Sequence, residues 1–245
     1  IKILPGNDDQ GIIFRRIDLS NNQEIKAKYD RVSSARLCTT IENNHGVKVS
    51  TIEHLLAAIY ICGIDNAIIE IDCEEVPIMD GSAKDFTNVF KKVDLKTLET
   101  KRKYLKILEK INLVDGDRNI SIEPSNSFEV NFNLKYENKI IGEQNNNVNF
   151  QLDDLNNIYE SRTFCLFEDI EKIKKIGLAK GGSLENAIVV DKNKVLNKDG
   201  LRNENEFVNH KILDLAGDFA LSGFRVLGKV SCSQGGHQLT NMFLR

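Results

Sequence analysis

The order of elements along the chain predicts an α+β protein. Alternating apolar and polar residues, which are typical of strands, occupy residues 1–49 and return after residue 104. Apolar residues with helical spacing follow each of these regions, near residues 53–63 and 205–223. Strands followed by a histidine-bearing helix thus occur twice, which indicates two units with a similar order of elements.

In the first half, short runs such as GIIFRRIDL predict strands of a sheet that has one solvent-facing side. Ser50 followed by Glu53 fits a capping box, and TIEHLLAAIYICGI predicts an apolar helix that stops at Gly63. Next, AIIEIDCEEV predicts a strand, PIMDGS a turn, and AKDFTNVFKKV a second helix. The charged stretch DLKTLETKRK has no apolar period and is the predicted linker. We therefore expect a first domain at residues 1–96 and a second at residues 97–245.

In the second half, YLKILEKINL, ISIEP and FEVNFNLKY predict strands, and a helix follows between about Asn205 and Gly223. The strand-like RVLGKVSC and the helix-like HQLTNMFLR complete the same order as in the first half. His54 and His210 occupy comparable places in the two halves, so their helices can face each other at the domain junction, where ligand sites are common. An insertion at residues 160–200 predicts an extended segment, a helix, a glycine-rich turn and a strand, which would form a lid or a binding wall.

Composition restricts the class of protein and its partners. The chain has 245 residues, of which 41% are hydrophobic and 28% charged, as is ordinary for a soluble globular protein. A net charge of -3 without a basic run argues against nucleic acid or an anionic membrane surface as the main partner. No apolar stretch reaches the roughly 20 residues of a spanning helix, and the start IKILPGNDDQ does not resemble a signal peptide. We expect a cytoplasmic protein without an integral membrane segment.

The five cysteines do not form a metal-binding or disulfide pattern. No C-x-x-C pair is present and the number is odd. We expect all five to be small buried apolar residues.

The helix EFVNHKILDLAGD gathers polar residues on one side. At about 100° per residue, its apolar residues share one stripe, and His210, Asp214 and Asp218 lie on the opposite face with Lys211 at its edge. A metal site, an acid/base cluster and a solvated helix face all fit this pattern. His210 and Asp214 can reach a single cation because side chains four residues apart on a helix are neighbours. With His54 as a third ligand, one position of a tetrahedral zinc would stay open for water, as in hydrolytic zinc sites.

Each candidate residue also has an interpretation without catalysis. Glu53 fits the third residue of a capping box as well as a general base, and Asp218 fits a surface carboxylate. His237 could be a polar residue near a helix start, and Lys211 a solvated lysine. GLAKGGS resembles a phosphate-binding loop only loosely, because it lacks the G-K-[ST] end. The residues alone leave both interpretations open.

Five separated segments favour the catalytic interpretation over the non-catalytic one. These segments lie in both halves and are STIEHLLAAIYICGIDNAIIEIDCEEVPIMDGSAKDF, SRTFCLFEDIE, GLAKGGSLENAIVVD, VLNKDGLRNENEFVNHKILDLAGD and GGHQLTN. In all five, and in their order, the chain resembles the zinc-dependent UDP-3-O-acyl-N-acetylglucosamine deacetylases of lipid A biosynthesis. The resemblance implies two domains of similar topology, each a sheet layered with helices of the ribosomal protein S5 domain 2-like fold, with the active site between them.

The resemblance also implies a metal and its ligands. His54, His210 and Asp214 would hold Zn²⁺, and Fe²⁺ accepts the same ligands. The substrate would be a UDP-linked acylated glucosamine, from which the N-acetyl group leaves as acetate.

Further residues receive roles from the same resemblance. Glu53 would take a proton from the attacking water, and Thr163 would stabilise the oxyanion that forms. His237, kept cationic by Asp218, would protonate the leaving amine. Lys211 would help to hold the substrate and to polarise the site. Gln234 departs from the family, because many relatives carry at this position a lysine that is expected to contact the UDP diphosphate.

The insertion would form a passage for the 3-O-linked fatty acid. The residues that would line this passage are Phe164, Leu166, Phe167, Ile170, Ala179, Gly182, Ala187 and Val189. Each of them could instead be an ordinary core residue.

Two other functions compete with this interpretation. One is another zinc amide hydrolase, such as a deacetylase of a different sugar or a peptidase. The order Glu53-His54 does not match the H-E-x-x-H helix of zinc peptidases. The other is a binding module with a structural zinc, but such sites are normally closed by four protein ligands. We expect a monomer with at most peripheral membrane contact.

Overall fold

A computed structural model describes residues 1–175 and 181–245, and it has the predicted α+β architecture. Within these residues the helices are α1 (Glu53–Ile61), α2 (Lys84–Phe90), α3 (Asn156–Tyr159), α4 (Ile170–Lys175), α5 (Glu206–Ala220) and α6 (His237–Leu244). The strands are β1 (Lys2–Pro5), β2 (Ile12–Arg16), β3 (Glu24–Lys26), β4 (Val32–Ser34), β5 (Thr40–Glu42), β6 (Lys48–Val49), β7 (Ala67–Ile71), β8 (Tyr104–Lys106), β9 (Ile111–Asp115), β10 (Arg118–Glu123), β11 (Phe128–Lys135), β12 (Glu143–Asn149), β13 (Phe164–Leu166), β14 (Ile188–Asp191), β15 (Lys194–Val195) and β16 (Arg225–Ser233).

The first half of the chain builds two small sheets. One has the strand order β1-β7-β2-β3, and the other has the order β4-β5-β6. Strands β2 and β7 are parallel and place Phe14 opposite Ile69, and both side chains are fully buried. The alternating pattern of β2 therefore buries one face, as the sequence predicts.

Helix α1 begins without the predicted capping box. Its N-cap residue is Ile52, and no side chain caps the helix. The Ser50 hydroxyl instead donates to the carbonyl of Glu74, and the Glu53 carboxylate accepts from the main chain of Thr39. The prediction of a capping box is wrong, because both side chains bond to segments far from the helix start.

The end of α1 is where the sequence predicts it. Gly63 has a φ of 73°, in the left-handed region that favours glycine. The N–H of Gly63 donates to the carbonyl of Tyr60, and the N–H of Ile64 donates to the carbonyl of Ile59. These two bonds form a Schellman motif, which satisfies carbonyls that the helix end would leave without partners.

The second half builds a larger sheet of six strands. Its order is β12-β11-β16-β10-β9, and β8 pairs with the first part of β16. The segment YLKILEKINL, predicted as a strand, forms two strands, β8 and β9. Strand β12 was not predicted, because its sequence EQNNNVN is rich in residues that are depleted in strands. It is formed by antiparallel pairing with β11, where Val148 faces Val130.

The predicted linker contains neither a helix nor a strand. Residues 94–103 lie between α2 and β8. Near their end, Arg102 bonds the carboxylate of Asp65 and the carbonyl of Gly63, both in the first half. The boundary between residues 96 and 97 stays a prediction.

The insertion has the predicted β-α-β order, with β13 and β14 paired in parallel and α4 between them in the chain. In residues 1–175 and 181–245, the helices are too short or too polar to cross a lipid bilayer.

The cysteines differ from the prediction. All five are free thiols, but only Cys232 is buried, and Cys73 is exposed. The others are partly exposed, so the prediction of five buried residues is wrong.

Candidate active site

The polar face of α5 is buried. His210, Asp214 and Asp218 are 1%, 4% and 3% exposed. The apolar stripe of α5 packs into the core, and helix α1 of the first half covers its polar face. The alternative of a solvated helix face is therefore excluded. A buried imidazole and two buried carboxylates require partners, since burying unpaired charge is costly.

A glycine allows α1 and α5 to approach closely. A Cβ atom at the position of Gly217 would collide with the carbonyl oxygen of Glu53. The absence of a side chain at Gly217 lets the start of α1 lie directly against α5. As a result, the rings of His54 and His210 meet edge to face, with centroids 4.9 Å apart. The prediction that the two histidine-bearing helices face each other is confirmed.

Three ligand atoms converge between the two helices. The Nε2 atom of His54 lies 3.5 Å from Asp214 Oδ1, and the Nε2 atom of His210 lies 3.3 Å from the same oxygen. Among the described residues, these three side chains form the one group of His, Cys, Asp or Glu that could hold a metal ion. The structure thus brings together all three residues that the sequence predicts as ligands.

The donor atoms fit a divalent metal. Two ligands that are each about 2.0–2.1 Å from a tetrahedral zinc lie about 3.3–3.4 Å apart, close to the spacings of Asp214 Oδ1 from the two imidazoles. Asp214 Oδ1 is buried and accepts no hydrogen bond from the described residues. A buried carboxylate oxygen without a donor, placed between two imidazole nitrogens, is the arrangement that a bound cation would satisfy.

A second contact orients His210. Its Nδ1 lies 3.0 Å from the main-chain oxygen of Ser161, so Nδ1 carries the proton and donates it to this carbonyl. Burial lowers the pKa of His210 to about 3, and His54 and Lys211 also lower it, despite the opposing effect of Asp214. The imidazole is therefore neutral, and its Nε2 lone pair is available for a metal.

Lys211, which is partly buried, forms an ion pair with the buried Asp214. Lys211 Nζ lies 2.8 Å from Asp214 Oδ2, the oxygen that does not face the two histidines. Burial alone would raise the pKa of Asp214, but the cationic Lys211 and His237 oppose it, and this pKa is held well below its usual value. Burial likewise would lower the pKa of Lys211, but Asp214 raises it above its usual value. Both groups are charged at neutral pH.

Glu53 lies beside the ligand cluster. Its side chain is buried, and Oε2 accepts a hydrogen bond from the main-chain N–H of Thr39 at 3.0 Å. Oε1 lies 3.9 Å from His237 Nε2. Burial raises the pKa of Glu53, although His237 and His54 oppose this change. A raised pKa makes the carboxylate a stronger base.

His237 is the first residue of α6 and is held by Asp218. Its Nδ1 lies 2.7 Å from Asp218 Oδ2, and its Nε2 lies 3.9 Å from Asp214 Oδ2. Burial alone would lower the pKa of His237, but Asp218 and Asp214 outweigh it and raise this pKa to about 10. His237 is therefore cationic at neutral pH and can donate a proton.

The turn before His237 is fixed by glycine and by Gln234. A Cβ at Gly235 would collide with the sulfur of Cys232. The amide of Gln234 bonds the main chain of Lys135 twice, at 2.7 Å from its N–H and 2.7 Å from its carbonyl. Gln234 is therefore engaged with strand β11.

Thr163 lies between two residues that contact the site. Ser161 accepts the hydrogen bond from His210, and the Phe164 ring lies 6.4 Å from the His210 ring. The main chain of Thr163 donates to Gly81 at 2.7 Å and accepts from Ile188 at 2.8 Å. These bonds join SRTF to the PIMDGS turn and to β14.

The residues predicted for the acyl passage occupy different environments. Phe164 packs edge to face on Phe207, with centroids 4.9 Å apart, and Val189 is buried. Leu166, Ile170 and Ala187 are partly buried, whereas Phe167 and Gly182 are exposed. Ala179 lies outside the described residues. The acyl passage stays a prediction.

Three contributors to the site were not predicted. Thr39 bonds both Glu53 and Asp218, the carbonyl of Ser161 orients His210, and Gly217 permits the helix contact. A glycine inside a helical pattern is a signal of close packing that could have identified Gly217. The sequence around Thr39 and Ser161 offers no such signal, because their contacts are far apart in the chain.

Comparisons with known proteins agree with this geometry. A family model described as UDP-3-O-acyl N-acetylglycosamine deacetylase matches residues 1–245. The UDP-3-O-acyl-N-acetylglucosamine deacetylase of Shewanella violacea is 40% identical over 248 residues, covering 100% of this chain and 81% of that protein. The enzymes of the same name from Syntrophus aciditrophicus and Geotalea uraniireducens are 39% and 41% identical, and the alignments cover 78% and 80% of those proteins. The chain therefore belongs to the UDP-3-O-acyl N-acetylglycosamine deacetylase family.

Proposed function

We propose that this chain hydrolyses the N-acetyl group of UDP-3-O-(3-hydroxyacyl)-N-acetylglucosamine with one zinc ion held by His54, His210 and Asp214. The family is one of enzymes of lipid A biosynthesis, and the products are acetate and a free 2-amine on the sugar. The observation that carries the proposal is the convergence of three buried ligand atoms beside a buried carboxylate and a cationic histidine.

A bound divalent cation would lower the pKa of a water molecule and polarise the acetamide carbonyl. Zinc suits two imidazoles and one carboxylate, which leave a position open, although Fe²⁺ accepts the same donors. The protein side chains supply the proton transfers.

Glu53 removes a proton from the attacking water. Its buried carboxylate has a raised pKa, which suits a general base at neutral pH. The water oxygen forms a bond to the acetyl carbon, and the carbonyl electrons move onto the oxygen of the tetrahedral species. Thr163 and Lys211 would stabilise this negative charge, since donors that meet charge only as it develops lower the barrier.

His237 then delivers a proton to the sugar nitrogen. The carbon–nitrogen bond breaks as the nitrogen accepts this proton, so that a neutral amine leaves in place of an amide anion. Asp218 holds the imidazolium through Nδ1, which leaves Nε2 to face the centre of the site. The reaction consumes one water and releases one acetate.

The insertion is the proposed binding region for the acyl chain of the substrate. The apolar residues of β13 and β14, with Phe167 and Ile170, would contact the 3-O-linked acyl chain. All proposed site residues come from one chain, so a monomer suffices for activity. The cytoplasm is the proposed compartment, because nucleotide-activated sugars are made there.

Metal analysis together with acetate release tests the proposal. The purified protein should contain about one zinc or iron per chain, and it should release acetate from the UDP-linked substrate. Glu53→Gln should lose at least about 100-fold in kcat and retain the metal. Glu99→Gln, which changes an exposed glutamate in the predicted linker, is the matched control. Absence of acetate release from the metal-loaded wild-type protein would exclude the proposed activity.

A further inference from the structure

Thr39 connects the two carboxylates that serve the proposed proton transfers. It lies directly before β5 and is 2% exposed. Its main-chain N–H donates to Glu53 Oε2 at 3.0 Å, and its hydroxyl donates to Asp218 Oδ1 at 2.7 Å. Its carbonyl accepts from the N–H of Ile52, the N-cap residue of α1. One residue of the first half thus contacts the start of α1 and one side chain on each of the two helices that build the site.

These bonds determine which oxygen of each carboxylate faces His237. Thr39 occupies Oε2 of Glu53, and the other oxygen lies 3.9 Å from His237 Nε2. Thr39 also occupies Oδ1 of Asp218, and the other oxygen bonds His237 Nδ1 at 2.7 Å. A carboxylate rotates about its terminal torsion with little restriction unless both ends are held. The two bonds from Thr39 remove this freedom.

We propose that Thr39 is a positioning residue for the deacetylation, holding Glu53 in line with the attacking water and Asp218 in line with His237. The inference rests on the proposed function, because it assigns to Thr39 the orientation of the base and of the acid's partner. A misplacement of about 1 Å in such groups lowers a rate by up to about 100-fold. Thr39 acts through two other residues and does not itself need to contact the substrate.

Thr39→Val tests the hydroxyl alone. Valine has the shape of threonine and keeps the main-chain N–H, so the bond to Glu53 persists and the bond to Asp218 is lost. We expect kcat to fall by about tenfold or more, with KM within about twofold and the metal content unchanged. Thr39→Ser keeps the hydroxyl and should restore most of kcat.

Thr87→Val is the matched control. Thr87 is another fully buried threonine, and its hydroxyl has no hydrogen-bond partner among the described residues. Its replacement should leave kcat and KM unchanged. If Thr39→Val does not fold, Thr39→Ala, which introduces no new group, replaces it with the same expected outcomes.

A spectroscopic readout separates positioning from a structural role. The proton between His237 Nδ1 and Asp218 should give a downfield NMR signal, which should shift in Thr39→Val and not in Thr87→Val. Wild-type kcat in Thr39→Val, or an equal loss in Thr39→Ser, would overturn the inference. Failure of the wild-type protein to release acetate would instead refute the proposed function, so the two failures are distinguishable.

Discussion

Asp214 has a different partner for each of its two oxygens. Oδ1 faces the two imidazoles, and Oδ2 bonds Lys211. The carboxylate is thus placed to serve as the proposed metal ligand and also pairs with a partly buried lysine. Because His54 and His210 meet at the same oxygen, loss of the charge on Asp214 affects every member of the cluster.

Asp214→Asn should abolish metal retention. The amide has the same shape but lacks the charge that offsets both the cation and Lys211, so metal affinity should fall by at least about 100-fold. Metal content after dialysis and acetate release would be measured together. Asp199→Asn, at an exposed site, should retain full metal and full activity. Retention of stoichiometric metal by Asp214→Asn would remove Asp214 from the ligand set.

The pH dependence of activity should follow Glu53 and His237. The proposed mechanism needs Glu53 deprotonated and His237 protonated. Burial raises the pKa of Glu53 above its usual 4.5, so activity should be lost on acidification at a higher pH than an exposed glutamate would give. The pKa of His237 is about 10, so activity should persist through neutral pH and fall as the pH rises towards that value.

Asp218→Asn tests whether His237 causes the fall of activity at high pH, which is the basic limb of the pH profile. Among the groups that raise the pKa of His237, Asp218 has the largest effect. Its neutralisation should lower this pKa, so the fall in kcat/KM should begin at a lower pH than in the wild type. Asp117→Asn, at an exposed turn, should leave both limbs in place. An unmoved basic limb in Asp218→Asn would show that a group other than His237 titrates there.

The contact between α1 and α5 depends on Gly217. A methyl group at this position would collide with the Glu53 carbonyl, which is main chain and cannot rotate away. Gly217→Ala should therefore separate the helices and lower kcat by at least about tenfold, although alanine favours a helix more than glycine does. Thermal unfolding and acetate release would be compared with Gly181→Ala, which has open space around the new Cβ. A stabilised, fully active Gly217→Ala would contradict the close approach.

The start of α5 is joined to the SRTF segment by a buried ion pair. Glu206 is fully buried and accepts from the Arg162 guanidinium and from the Arg162 main chain. This pair holds the segment whose Ser161 carbonyl orients His210. The orientation of His210, a proposed metal ligand, therefore depends on an ion pair outside the site.

Glu206→Gln should lower the free energy of unfolding by about 3–5 kcal/mol, because it leaves a buried guanidinium without its counter-ion. Urea unfolding would measure this change, and Glu204→Gln, at an exposed site two residues before the helix, is the control. A change below about 1 kcal/mol would show that the pair contributes little to stability.

The sequence predicts the elements better than the contacts between them. Strand β11 has a strong alternating pattern because it buries one face against a large core. Helices α1 and α5 are predicted from apolar residues at helical spacing, although both are buried on nearly all sides. The positions of all three elements agree with the structure. Strand β12 was not predicted because pairing with β11 overrides its poor strand propensity. The capping box failed for a related reason: Ser50 and Glu53 have the right spacing, but Glu74 and Thr39 provide other partners.

The candidate site was predictable in its composition and not in its geometry. His210 and Asp214 lie four residues apart on one helix, so local sequence places them together. His54 and His237 reach them only through the packing of separate elements. The residues alone make His54 a candidate third ligand, whereas the role of His237 comes from the resemblance. The contribution of Thr39 depends on two hydrogen bonds, to residues 14 and 179 positions away in the sequence. No local sequence pattern encodes such contacts.

The metal should stabilise the association of the two halves of the chain. His54 lies on α1 in the first half, whereas His210 and Asp214 lie on α5 in the second. A cation that binds all three only in the folded state adds stability that grows with its concentration relative to Kd. At 100 times Kd the gain is about 2.7 kcal/mol, which corresponds to a rise in Tm of about 5–10 °C for a chain of this size.

Removal of the metal with a chelator should therefore lower Tm by about this amount, and added zinc should restore it. His54→Ala should abolish the rise in Tm on adding zinc. The two remaining ligands, His210 and Asp214, both lie on α5, so a cation bound to them would no longer join the two halves. Hydrogen exchange should show the loss of protection in both α1 and α5 on chelation. A response confined to α5 would mean that the ion binds one half alone, and the site would then not depend on the contact between the two helices.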